Sequence, residues 1–454
     1  MWLYCNSPNR ASRSRRRIEP SDQRAGRQER PQISPVTCDD TVKDMPEAVT
    51  SSISTPTFAD ITTMGVGGRI ATFAQPHDRV GLIEAVEGAD SKGLPLCLIG
   101  GGSNLLASDQ DFPGVVVRDT RQDISVPDEV APPEGGLPVV HINATAGTNW
   151  DDLVSYCVRM HLIGLEGLSG IPGTVGASVV QNIGAYGQEV GRLVDSVEVW
   201  DRQDKVTAYL QASDLDFGYR TSLLKQTMYQ APAVPDARFF PTPRYVVLSV
   251  TLVLRHGSAT QVGSAQLAKA LGVEPGATLP LERIRQAVLT VRAGKGMLED
   301  PYRYLTDWMG SCRRTSDLEE ALEALQGDLH GPRGERVLLD RHSCGSFFTN
   351  PVITREAADA LPADAPRYPV GDSALVKTSA AWLIDHSGFH KGFALEQGSA
   401  AALSDVHTLA LTNRGGAGSD DMVALARAIQ KGVNSTFGIH LIPEPVTPGI
   451  DLAW

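Results

Sequence analysis

Hydrophobic and polar positions follow two textures along this chain. From Thr57 onward, Val80, Leu82, Ile83 and Val86 recur at helical spacing and predict a helix over 77–92. Leu94-Pro95-Leu96-Cys97-Leu98-Ile99 is a short apolar run that enters Gly100-Gly101-Gly102-Ser103-Asn104, and Val115–Arg118 and Val139–Ala144 read as further strands. Asn149 is placed to cap a helix running through Leu153, Val154 and Cys157 to His161. Strand-like runs follow at 194–200, 205–210 and 245–255. After Arg255 the pattern turns helical, over 263–271, 280–294, 316–326, 354–361, 379–387 and 419–434, with strands at 407–412 and 439–442. The change predicts a mixed α+β chain of two main units that meet near 255–262.

Residues 1–55 stand apart. Eight arginines lie between Ser7 and Gln32 with almost nothing apolar among them. Such a segment cannot offset its ordering entropy and is expected to be disordered, either a solvated tail or sequence upstream of a true start at Met45. No run approaches the roughly 18–20 apolar residues of a membrane span. Forty-one basic against 53 acidic side chains give a net charge of −12, which argues against a nucleic-acid partner. The six cysteines show no CxxC spacing, so no metal or redox site is expected, and a reduced cytoplasmic protein is. The first five residues are too short for a signal peptide.

Chemistry concentrates in glycine. Residues 164–187 hold seven glycines in 24 positions, and Gly100–Asn104 is a second such loop after a strand. Missing Cβ atoms let backbone N–H groups crowd around an anion or a flat ring. Neither loop has the GxGxxG order, and there is no GxxxxGK[ST]. Two such loops in one unit favour a large phosphate-bearing cofactor over plain turns.

Seven motifs then occur in order. They are Thr62-Thr63-Met64-Gly65-Val66-Gly67-Gly68, Ile99–Leu106, the 164–187 stretch, and Phe217-Gly218-Tyr219-Arg220-Thr221-Ser222. Gly345-Ser346-Phe347-Phe348-Thr349-Asn350-Pro351, Ser379–Asp385 and Pro443-Glu444-Pro445-Val446 complete them. Together, over about 57–448, they resemble the UDP-N-acetylenolpyruvoylglucosamine reductases. The resemblance implies a vanillyl-alcohol-oxidase-type FAD-binding domain over 56–255 and a smaller α+β substrate-binding domain over 256–454. It also implies FAD as cofactor, NADPH as reductant and a UDP-sugar substrate. The enolpyruvyl ether of that substrate would be reduced to UDP-N-acetylmuramate for peptidoglycan.

By the same resemblance Ser346 is the proton donor, Arg220 holds the substrate carboxylate and Glu444 polarises it. Cofactor contacts fall on Gly100, Gly101, Gly102, Ser103, Asn104, Ile171, Pro172 and Gly173, with Ala177, Val180, Ile183 and Gly184 along the flavin. Tyr186, Lys295, Asn350 and Tyr368 fall to the substrate. Met64 and Phe347-Phe348 are equally well read as packing residues.

Three departures stand out. Ser264 occupies about the place of a substrate-stacking tyrosine in the family. His407 stands where some members carry Gln. Residues 300–340 add some 30–35 positions, an insertion at about 301–338 read most plainly as a neutral surface loop. Two other readings remain open at this stage, a same-fold FAD oxidoreductase on another substrate and a non-catalytic flavin-binding protein.

Overall fold

Strand Tyr245–His256 is the member around which the first half assembles. It lies antiparallel between Val194–Asp201 and Val139–Thr145, and Val206–Gln211 and Ile124–Val130 extend the sheet on either side. The computed structural model describes residues 55–130, 138–228, 242–310, 340–372 and 374–452. The tail expected to be disordered (to residue 54) and the helix expected over 316–326 lie outside these residues.

Along Val139–Thr145 burial alternates, with Val140, Ile142 and Ala144 inward, as the period of a strand requires. Tyr245–His256 is instead buried on both faces, which its unbroken valine and leucine run allows. A bulge at Leu248, between the Val247–Val199 and Ser249–Glu198 pairs, turns the alternation over. Val246 and Leu248 face helix Arg79–Ser91, whereas Val250, Leu252 and Leu254 face helix Trp150–Arg159. One strand thereby seals two cores. The Leu248 carbonyl, turned out of the ladder, accepts the Ala146 N–H at 3.1 Å and an Arg121 N–H at 2.8 Å.

A second, parallel sheet places Phe112–Val117 between Ile70–Ala74 and Leu96–Leu98, and Leu96–Leu98 delivers the chain into Gly100. The expected helices over 77–92, 149–161, 263–271, 280–294, 354–361, 379–387 and 419–434 form as Arg79–Ser91, Trp150–Arg159, Ala265–Leu271, Leu281–Ala293, Arg355–Asp359, Ala380–His386 and Ser419–Phe437. Residues 259–310 pack on the first half, with Leu281 in its core. The second core is built from 340–452 around helix Ser419–Phe437, and it also takes in Met64, Val66 and Leu106. Phe347 and Phe348 pack edge to face within it at 5.1 Å.

Three expectations are corrected. The strand expected over 439–442 does not form. Ile439 and Leu441 are buried, but the Leu441 carbonyl accepts from Gln430 Nε2 at 2.9 Å and the Ile442 carbonyl from a single loop amide, Thr349. The strand expected over 407–412 is confined to Leu411–Asn413, paired with Ala401–Leu403. The described start of the insertion is no neutral surface loop, since Tyr304 and Met309 are buried beside Phe58, Ile61 and Cys97. Among the described residues no helix is long and apolar enough to cross a membrane.

Candidate active site

A cleft of about 990 Å³ runs along both glycine-rich stretches. One wall is the first glycine loop. A Cβ on Gly100 would sit 2.6 Å from Thr174 Oγ1, one on Gly101 2.8 Å from Gly173 Cα, and one on Gly102 2.2 Å from the Ile61 carbonyl. No side chain fits there. Among the described residues the N–H groups of Gly101, Gly102, Ser103 and Asn104 donate to no protein acceptor, and the buried Thr62 hydroxyl on the same wall has no partner. A row of unpaired amides in a cleft is an anion nest and suits a diphosphate.

The second stretch is partly helical, which its glycines conceal. Thr174 caps helix Val175–Gln181 by accepting the Ala177 N–H, and Gly176 allows contact with Ala146, whose Cβ would lie 2.7 Å from a Cβ there. Ala177, Val180, Ile183 and Gly184 follow along the cleft. Gly184-Ala185 then pairs with Gln188-Glu189 across a two-residue turn, with φ of 48° at Tyr186 and 88° at Gly187. Both positive angles identify a type I′ hairpin, which presents Tyr186 to the cleft. Burial raises the Tyr186 phenol above its ordinary value.

The three residues assigned to catalysis converge on this cleft from separate parts of the chain. Glu444 is carried on an extended segment that joins both halves. Its N–H donates to the Phe347 carbonyl at 2.9 Å, and the Val446 N–H donates to the Asn104 carbonyl at 3.1 Å. The first link ties Glu444 to the residue after Ser346, the second to the first glycine loop. Arg220 Nε lies 3.3 Å from Glu444 Oε1, with both side chains only partly exposed. Its terminal nitrogens donate to the Gly184 carbonyl at 2.6 Å and the Asn182 carbonyl at 3.4 Å. One N–H on each terminal nitrogen remains as a fork.

Two residues that sequence reasoning missed hold Glu444. Gln181 Nε2 donates to Glu444 Oε1 at 2.9 Å, and Lys225 Nζ donates to Gln181 Oε1 at 2.7 Å. An ammonium has only donors, so Lys225 fixes which end of the Gln181 amide faces the carboxylate. Burial lowers the Lys225 pKa, and Glu444 partly offsets this.

The other expected substrate residues line the same cleft. Lys295 is half-buried, and desolvation, then Arg292 and Lys391, lower its pKa. Asn350 Oδ1 accepts the Ala380 N–H at 3.0 Å, and its backbone N–H donates to the Tyr219 hydroxyl at 3.4 Å. Tyr368 stands opposite Lys377, a cleft cation that sequence reasoning also missed, whose Nζ lies 4.5 Å from the Tyr219 ring. Burial and the Lys295 charge push His407 down to about 4. Ser264 caps helix Ala265–Leu271 through the Leu267 N–H at 3.4 Å, so its hydroxyl serves the helix. Every residue assigned from the sequence to cofactor, substrate or catalysis lines this one cleft.

The glycine cradle suits a diphosphate-bearing cofactor, and the matching family model makes that class a FAD-binding flavoprotein. A family described as FAD binding domain matches residues 70–208, and one described as UDP-N-acetylenolpyruvoylglucosamine reductase, C-terminal domain, matches 338–447. The chain is 40% identical over 391 residues to the UDP-N-acetylenolpyruvoylglucosamine reductase of Cutibacterium acnes, covering 86% of this chain and 88% of that protein. It is 38% identical over 406 residues to the reductase of Thermobifida fusca, covering 87% and 97%. The crystal structure of the Thermus caldophilus reductase aligns with a TM-score of 0.48 at 23% identity, over 86% of this chain and 97% of that one. This chain belongs to the UDP-N-acetylenolpyruvoylglucosamine reductase family. Its fold is accordingly α+β, a FAD-binding domain followed by the C-terminal domain of that family.

Proposed function

We propose that the chain uses NADPH to reduce the enolpyruvyl ether of UDP-N-acetylglucosamine enolpyruvate, giving UDP-N-acetylmuramate for peptidoglycan precursor synthesis in the cytoplasm. The observation that carries this reading is the convergence of Ser346, Arg220 and Glu444 on the cleft that the glycine loops line. FAD, held by Gly100–Asn104, Ile171–Gly173 and the Ala177–Gly184 face, supplies hydride-transfer chemistry when bound.

The chain's own residues do the rest. The free fork of Arg220 takes the substrate carboxylate, and the charge that grows beside it in the transition state strengthens the contact. Glu444, pinned through one oxygen by Arg220 and Gln181, keeps its other oxygen for the carboxylate side of the substrate. Reduction at the methylene carbon leaves the adjacent carbon carbanion-like and in need of a proton. Ser346 Oγ donates it. A serine hydroxyl is a weak acid in water and serves here because that carbon is strongly basic and the site is pre-organised. Lys295 and Lys377 are the cations suited to the UDP diphosphate. We assign residues 56–255 to the cofactor and the remainder mainly to substrate.

The test is a pair of anaerobic half-reactions followed by flavin absorbance. NADPH should bleach the flavin, and the enolpyruvyl sugar should restore it. Ser346→Ala should bleach normally and recover about 10²–10⁴-fold more slowly. Bleaching by NADPH with no recovery in the unaltered protein would reassign the substrate.

A further inference from the structure

The chain from Glu299 to Gly310 passes along the first glycine loop. Asp300 caps a single 3-10 turn, Pro301–Leu305, by accepting the Tyr302 N–H at 3.0 Å. Tyr304 and Met309 anchor the segment in the core that also holds Ile99 and Leu105. From this turn Arg303 Nη2 donates to the Gly101 carbonyl at 2.9 Å and to the Ile61 carbonyl at 3.1 Å, while Nη1 faces Glu299 Oε1 at 3.3 Å. Arg118 Nε holds the neighbouring Gly100 carbonyl at 3.1 Å, and its Nη1 reaches the Trp308 carbonyl and the Met309 sulfur. The same segment is tied to the second glycine stretch. Asn149, which bridges to Thr174, donates to Glu299 Oε2 at 3.2 Å and to the Tyr304 hydroxyl at 3.0 Å.

In a trans peptide the carbonyl and the next N–H lie in one plane and point in opposite directions. Two guanidiniums that hold the Gly100 and Gly101 carbonyls therefore turn the Gly101 and Gly102 N–H groups the other way. Those are two of the amides that lack a protein acceptor. We propose that Arg303 is a positioning residue for the cofactor: by holding the Gly101 carbonyl it fixes the amide nest that receives the FAD diphosphate. Part of the cofactor wall is thus supplied by the start of the segment read from the sequence as an insertion. The inference depends on FAD as the cofactor and is independent of the substrate proposed above.

Deflavinated full-length protein titrated with FAD, and separately with riboflavin, tests it. Riboflavin has the ring but no diphosphate, so a defect confined to the nest leaves its affinity alone. Arg303→Ala should raise the Kd for FAD by about 10- to 100-fold and change that for riboflavin by less than about twofold. Arg303→Lys keeps the charge but loses the fork, and should stay at least about threefold weaker for FAD. If Arg303→Ala does not fold, the FAD-to-riboflavin ratio of Arg303→Lys decides alone. Equal weakening of both ligands, or no change in either, overturns the proposal. Full FAD affinity in Arg303→Lys would overturn it too, because charge alone would then suffice. A wild-type chain that takes up no FAD would overturn the cofactor assignment itself and this role with it.

Discussion

His407 should make the protein acid-sensitive by an amount the structure sets. Its Nδ1 accepts the Leu409 N–H at 3.2 Å, so the neutral ring carries its proton on Nε2. Burial, and then the positive charges of Lys295, Lys391 and Arg292 around it, push its pKa from 6.5 down to about 4. The folded chain therefore binds this proton less readily than the unfolded chain does. Above pH 6.5 both states are neutral and the ring contributes nothing. As pH falls below 6.5 the unfolded chain protonates first and stability declines, levelling off below about 4. At pH 5 the gap between the two pKa values amounts to about 2 kcal/mol. Urea unfolding of wild type and His407→Gln at pH 7 and pH 5 isolates the ring from every other titrating group. Wild type should lose about 2 kcal/mol more than the variant over that interval. Parallel losses, within the roughly 0.5 kcal/mol error of additivity, would refute the reasoning.

Other predictions follow from contacts already described. Gly101→Ala would drive a Cβ to 2.8 Å from the Gly173 backbone, so it should cost about 1–3 kcal/mol in thermal or urea unfolding. The same variant should release FAD on gel filtration. Lys225→Met frees the Gln181 amide to turn, and should slow flavin reoxidation by the enolpyruvyl sugar about tenfold while leaving reduction by NADPH unchanged. Equal slowing of both half-reactions would mean general damage instead. Burial raises the thiol pKa of Cys97 to about 12 and raises those of Cys157 and Cys344 as well. A thiol reagent should leave all three unlabelled in the native protein at neutral pH and label them in urea, as mass spectrometry of tryptic peptides would report.

What was legible in the sequence is what repeats or caps. The helix after Asn149 and the strand at 139–145 follow from spacing, because burial on one face leaves a period in the residues. Helix Val175–Gln181 was hidden because its glycines, one of them needed for contact with Ala146, look locally like a loop. Arg220, Ser346 and Glu444 lie on three distant segments, and no local spacing could bring them together; the family resemblance did. Gln181 and Lys225 had no such help, since a single polar residue on a short helix leaves no period. Arg303 is the extreme case. It works by binding two main-chain carbonyls, and every residue type presents a carbonyl. Its partners Gly101 and Ile61 therefore need nothing in their side chains to mark the contact. An arginine in a polar insertion looks the same whether it points to solvent or braces the cofactor loop, and only the burial of Tyr304 and Met309 beside it separates the two.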